Sequence, residues 1–220
     1  MKPEQFLPGL SPAERDELYA LGRRQRWQPG ATLFTEGDRP GNVVILLKGR
    51  AKVYSLAEHG TEVVLALRGP GALLGELSAV DGAPRAASVQ ALDRVEALVV
   101  PLHAFTEFLR GHPDAALQMV RMIVARLRDA DRKRVEFGTY DTLGRVALRL
   151  VELAERFGAK VDGRIRIDLP FTQDELAGWI GASREAVAKA LRSLRDQGVI
   201  ETRRKAVSVL DLERLRARAR

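Results

Sequence analysis

The stretch FTQDELAGWIGASREAVAKALRSLRDQGVI, Phe171–Ile200, reads as two short helices around a tight turn. Thr172 stands as an N-cap with Glu175 three residues on, the spacing of a capping box. Leu176, Trp179 and Ile180 give the first helix an apolar face at i, i+3 and i+4. Gly181 supplies the backbone freedom for the turn. Ser183 caps the second helix, and Val187, Ala190, Leu191 and Leu194 form its inward stripe. Arg184, Glu185 and Lys189 are left facing out near its N-terminal end. In a helix-turn-helix that end meets base edges in the major groove, where Arg or Lys donates to guanine and Glu accepts from cytosine. A structural helical hairpin with a solvated charged face has the same pattern, so the rest of the chain must separate the two.

Charge favours the first. The net charge is +7, and Thr142–Arg220 holds 17 basic and 11 acidic residues, whereas residues 1–141 hold 19 and 18. Nearly all the excess sits with the helical pair, as a polyanion partner would select. The chain has no cysteine, which removes disulfides, thiol catalysis and thiolate-held zinc or iron–sulfur clusters. No apolar run reaches the length of a membrane span and the N-terminus lacks a signal-peptide pattern, so no membrane partner and a cytoplasmic location are expected.

In chain order, residues 1–22 read as a helical lead-in. Ser11 is the cap, Pro12 the first residue and Glu14 the third, with Leu18, Tyr19 and Leu21 facing inward. From Arg23 to Pro101 the runs Ala31–Thr35, Val43–Leu47, Ala51–Ser55, Glu62–Leu67 and Val95–Val100 are short and β-prone, and glycine turns break them. Such spacing implies an antiparallel barrel or roll. A helix follows at Leu102–Arg110, then a long one from Pro113 to about Gly138. On the long helix Leu117, Val120, Val124 and Leu127 take a and d positions and Asp131 the next a. A narrow apolar seam of this kind wants a partner helix, hence a parallel homodimer, unless it packs on its own roll. A hinge at Thr139–Thr142 leads to a helix at Leu143–Phe157, a short strand at Ile165–Ile167 and the helical pair. Glu201–Leu210 then reads as a hairpin wing tipped by Arg203, Arg204 and Lys205, and a basic helix runs from Leu212 to Arg220. The expected fold class is α+β in three parts: a β-roll effector domain (1–112), a dimerisation helix and hinge (113–141), and a winged helix-turn-helix (142–220).

Within the roll, Leu74–Val89 is small-residue-rich and punctuated by glycine. A loop of this composition lets backbone amides converge on an anion. Arg85 offers a charge-assisted, bidentate grip on phosphate, and Glu76 an acceptor for a hydroxyl. A polar turn with one surface arginine would look the same.

The run GELSAVDGAPRAASV, Gly75–Val89, resembles the phosphate-binding cassette of cyclic-nucleotide-binding domains. Together with SREAVAKAL, Ser183–Leu191, it is similar to the CRP/FNR superfamily of bacterial transcription regulators, in particular the cyclic-AMP receptor group. The resemblance spans essentially the whole chain. It implies that Gly75 and Glu76 face the ribose, Glu76 through the 2′-hydroxyl, that Arg85 binds the cyclic phosphate with the Ala86 and Ala87 amides, and that Leu77 and Ser78 belong to the same nucleotide site. Arg126 is implied as support for Glu76. It further implies base contacts from Arg184, Glu185 and Lys189 to a palindromic site with TGTGA-like half-sites. Phosphate contacts are implied for Thr172 and Ser183, and Gln173 and the wing residues Arg203, Arg204 and Lys205 are expected to touch DNA as well. Cyclic AMP is then the allosteric effector, and double-stranded DNA, a second copy of the chain and RNA polymerase are the partners. The sequence departs from the group at Ala130 and Asp131, where the relatives hold adenine with a hydroxyl pair. Alanine has no hydrogen bond to give, and Asp131 either accepts from an amino group or is a polar seam residue.

That departure leaves open a regulator with no cyclic-AMP dependence, or one answering another effector such as a cyclic dinucleotide. A haem sensor would have to rely on His59, His103 or His112, and an enzyme on a cupin-like roll has only His59 and His103, far apart, for a metal. No nucleophile–base pair is visible, and no enzyme activity is expected.

Overall fold

The computed structural model describes residues 5–58, 60–168, 172–203 and 205–219. His59, Phe171, Arg204 and Arg220 lie outside these residues.

After a short 3-10 turn at Leu7–Gly9 come α1 (Pro12–Leu21), β1 (Arg23–Trp27), β2 (Thr32–Phe34), β3 (Asn42–Lys48), β4 (Ala51–Leu56), β5 (Glu62–Arg68) and β6 (Leu73–Leu74). Next are α2 (Glu76–Asp81), β7 (Ser88–Ala91), β8 (Val95–Pro101), α3 (Leu102–Gly111) and α4 (Pro113–Thr139). The remainder is α5 (Thr142–Phe157), β9 (Ala159–Val161), β10 (Arg164–Asp168), α6 (Gln173–Ile180), α7 (Arg184–Asp196), β11 (Ile200–Arg203), β12 (Ala206–Val209) and α8 (Leu212–Arg218). The chain packs as two compact units, Met1–Ser55 with Leu65–Ala130, and Leu56–Val64 with Asp131–Arg220.

The first unit is an α+β roll of two four-stranded sheets, ordered β1-β8-β3-β6 and β2-β7-β4-β5. The pleat sorts β3 into both of its cores. Val44 and Leu46 point into the roll against Ala51, Val89, Val95 and Val99. Val43 and Ile45 point the other way, onto Leu18, Phe105, Phe108, Met119 and Met122 of the helices. A strand covered on both faces loses the polar alternation of a half-exposed one, which is why Val43–Leu47 is continuously apolar. α1 begins with the expected capping box, in which Ser11 accepts from the Glu14 amide and Glu14 from the Ser11 amide.

Two strand-level features differ from expectation. Arg23–Trp27 carries no β-prone run, yet it pairs along its whole length with β8. Its exposed Arg24 and Arg26 reach Glu96 on β8 at 3.1 and 3.2 Å. The cassette also contains a helical turn, α2, where the sequence suggested loop throughout.

α4 has two apolar faces. Ala115, Met119 and Met122 are buried against the roll. The seam of Leu117, Val120, Val124 and Leu127 is on the other face, at 46, 52, 39 and 60% exposure. The seam therefore does not pack on its own roll; a separate stripe does that.

In the second unit, α5 turns Val146, Ala147, Leu150, Leu153 and Ala154 inward. The sheet is ordered β11-β12-β10-β9, with the hairpin β11–β12 as the wing. Glu136, near the end of α4, is 6% exposed and ion-paired to Arg149 on α5, itself 5% exposed. Arg149 also pairs with Glu152, which accepts from Arg156 at 2.9 Å, and its guanidinium lies 5.6 Å from the centre of the Trp179 ring.

Candidate functional site

The cassette is built around two glycines and two arginines. Gly75 caps α2 from the left-handed region, with φ of 80°, and Gly82 closes the helix at φ of 71°. The first of these turns aims the opening of α2 so that Glu76 points inward. Its buried carboxylate pairs with Arg126 of α4, whose second arm donates to the Leu73 carbonyl at 2.8 Å. Arg126 and Glu76, fifty residues apart, thus meet as one constellation.

Arg85 follows on the loop after α2 and is 4% exposed. Its Nη1 donates to the Gly75 carbonyl at 3.1 Å and its Nη2 to the Asn42 carbonyl at 2.6 Å. The guanidinium lies 4.4 Å from the centre of the Phe34 ring. Burial pushes the Arg85 pKa down, while Glu76 and Asp38 oppose that shift. The loop is pinned where Arg85 donates its amide to the Asp38 carbonyl at 2.9 Å and returns its own carbonyl to Gly37 at 2.8 Å. Ala86 is exposed and Ala87 half-buried beside it. The arrangement places a fixed cation, a buried carboxylate and a glycine-shaped backbone beside one another, the chemistry that suits a phosphate joined to a hydroxyl-bearing sugar.

Not every sequence-predicted residue takes part by its side chain. Leu77 turns out to solvent, and the Ser78 hydroxyl already donates to the Pro84 carbonyl at 3.3 Å. Ala130 and Asp131 are exposed on α4. Asn42 and Phe34, which hold Arg85, carry no sequence signal, because they come from strands distant in the chain.

The second constellation is the helical pair. Thr172 and Glu175 form the reciprocal capping box of α6, and Ser183 accepts from the Ala186 amide at the start of α7. Gly181 joins them in the left-handed region at φ of 66°. Leu176, Trp179 and Ile180 are buried against the stripe Val187, Ala190, Leu191 and Leu194, as the spacing requires. Arg184, Glu185 and Lys189 are exposed together on α7, and Gln173 is exposed at the start of α6. Arg184 approaches Asp174 to 3.7 Å, a solvent-exposed pair worth about 0–1 kcal/mol that leaves the arginine available. The Glu185 carboxyl is held below its ordinary value by its own backbone amide and by Ser183, so it stays an acceptor. Arg203 and Lys205 project from the wing, Lys205 at a turn with φ of 57°.

No group of three or more metal-capable side chains occurs among the described residues. No helix of the described residues is long and apolar enough to cross a membrane.

Residues 24–112 match a cyclic nucleotide-binding domain, and residues 144–218 a Crp-like helix-turn-helix domain. The chain is 36% identical to a CRP-like cAMP-activated global transcriptional regulator of Mycobacterium tuberculosis, over 87% of this chain and 85% of that one. It is 30% identical to a cyclic AMP receptor protein of Thermus thermophilus, over 91% and 89% respectively. Among solved structures, the c-di-GMP responsive global regulator CLP of Xanthomonas campestris shares the fold at TM-score 0.78 and 21% identity, covering 90% of this chain and 99% of that one. With both halves matched and such relatives along most of its length, this chain belongs to the CRP/FNR superfamily of DNA-binding transcription regulators, with a cyclic-nucleotide-binding-like domain at its N-terminal end.

Proposed function

We propose that the protein is a homodimeric, cytoplasmic regulator whose β-roll binds cyclic AMP and which then reads a palindromic TGTGA-like operator and engages RNA polymerase. In this assignment residues 1–112 bind effector, 113–141 dimerise and 142–220 read DNA. The observation that carries it is the junction of cassette and long helix. Arg126 grips the cassette's Glu76 from the same helix that exposes the seam of Leu117, Val120, Val124 and Leu127. A ligand touching Glu76 and Arg85 therefore acts on the helix through which two copies would meet. It shifts the population of dimer arrangements by as much as it prefers one of them. Recognition helices presented about 34 Å apart fit successive major grooves. The names of the relatives from Mycobacterium and Thermus support cyclic AMP as the effector.

Calorimetry with cyclic AMP, paired with duplex titration in its presence and absence, is the test. Wild-type protein is expected to bind nucleotide and to bind the operator more tightly with it, and Arg85→Ala to lose both responses. A second reading is favoured by Ala130 and Asp131, which present one carboxylate and no hydroxyl where the group holds adenine. In it the regulator is independent of cyclic AMP or answers another effector, such as a cyclic dinucleotide. Equal operator binding with and without cyclic AMP, and no heat of binding, would select it.

A further inference from the structure

Behind the residues assigned to base reading, α7 continues into a cleft shared with the start of α6 and with the wing. The cavity is about 410 Å³ and is walled by Arg192, Arg195, Arg203 and Lys205, with Thr172 and Gln173 at its rim. Leu176, Leu191 and Val207 form an apolar floor. Among the described residues no carboxylate lines it, and none of the four cations forms an ion pair with a described residue. Four like charges around one opening repel one another, and a polyanion is the partner that relieves them. At about 30 Å³ per water, the cavity has room for a phosphodiester together with its hydration.

The register on α7 says where this cleft falls on a duplex. Arg184, Ala188, Arg192 and Arg195 are spaced by four, four and three, one stripe of the helix. At about 1.5 Å per residue, Arg184 and Arg195 stand roughly 16 Å apart along the axis. The major groove is only about 12 Å wide. When α7 crosses the groove with Arg184 at the base edges, the far end of the stripe has run out of groove and meets the sugar–phosphate wall. Arg195 is held for that contact: its Nη1 donates to the Thr202 hydroxyl on β11 at 3.0 Å, tying helix to wing. The small Ala188 side chain leaves the mouth open.

We infer that this cleft seats a backbone phosphate of the bound duplex, with Arg192 and Arg195 as its sequence-independent clamps. The inference rests on the chain being a DNA-binding regulator and extends its contact surface beyond the residues read from sequence.

The test is equilibrium binding of the full-length protein to a duplex with a TGTGA-like palindrome and to an unrelated duplex, across a salt series. Arg192→Gln and Arg195→Gln should each weaken both duplexes by the same factor and lower the slope of log K against log salt by about one per half-site. Arg195→Lys, which keeps the charge, should retain the slope. Both arginines are exposed, and unchanged thermal melting will show that the variants are folded. Wild-type binding with an unchanged slope in the Arg192→Gln/Arg195→Gln double variant overturns this inference alone. So does a loss confined to the palindrome. Wild-type protein that binds neither duplex at low salt overturns the regulator function and this inference together.

Discussion

Arg85 is held by the chain's own carbonyls at Gly75 and Asn42, so a phosphate does not meet a free guanidinium. It must match those hydrogen bonds before it gains anything, and the observed affinity is the difference. The left-handed turn at Gly75 makes this arrangement possible. A Cβ at that position would run into Nη1 of Arg85, and at φ of 80° any side chain is also strained. Gly75→Ala is therefore expected to cost about 1–3 kcal/mol of stability, read by urea denaturation. It should also turn Arg85 away and weaken nucleotide binding roughly tenfold or more in calorimetry, the equivalent of one charge-assisted hydrogen bond. Full affinity in that variant would show that Arg85 reaches the phosphate from some other position.

Elements whose cause is local were legible in the sequence, whereas those caused by distant partners were not. Ser11 with Glu14 and Thr172 with Glu175 mark the starts of α1 and α6 because the cap and its reply are three residues apart. Charged β1 is a strand because β8 lies beside it, and α2 is a helix held between two glycines with no apolar period of its own. The expected stripe of α5 gave no sign that Arg149 also faces inward, since its partner Glu136 belongs to the preceding helix. At the site, the cassette arginine and glutamate were legible, but Asn42 and Phe34 around Arg85 were not. The caps also yield a pH prediction. The Ser11 amide, then the Ser11 hydroxyl, hold the Glu14 carboxyl below its ordinary 4.5. A lowered carboxyl stabilises the fold above its unfolded pKa, and that contribution is lost as pH falls through the folded value. Ser11→Ala should cost about 1 kcal/mol near pH 7. The stability gap between wild type and Glu14→Gln should be flat above about pH 5.5 and close as acid protonates Glu14, in denaturation curves taken across pH.

At the scale of the molecule, the exposed seam of α4 is where a second copy would act. Leu127 is 60% exposed in the single chain, so Leu127→Glu should leave the protomer folded, with an unchanged circular dichroism spectrum. In a homodimer it sets two carboxylates in an apolar seam. Dissociation into monomers by sedimentation is expected, with the dimer at least ~100-fold weaker and palindrome binding reduced to that of a half-site. A variant that remained dimeric would place the interface elsewhere. Because Glu136 and Arg149 are both out of water, exchanging either alone is costly. Among the described residues, removing Arg149 leaves the buried Glu136 carboxylate only the exposed Arg132, at 3.5 Å, and removing Glu136 leaves Arg149 with Glu152. Either loss therefore costs less than the about 3–5 kcal/mol of a buried charge with no partner, whereas replacing both with apolar residues of similar volume is often neutral or better. A lineage that abandons the pair loses less by changing both codons together than by changing either alone, so among descendants of this chain the two positions are expected to change as a couple.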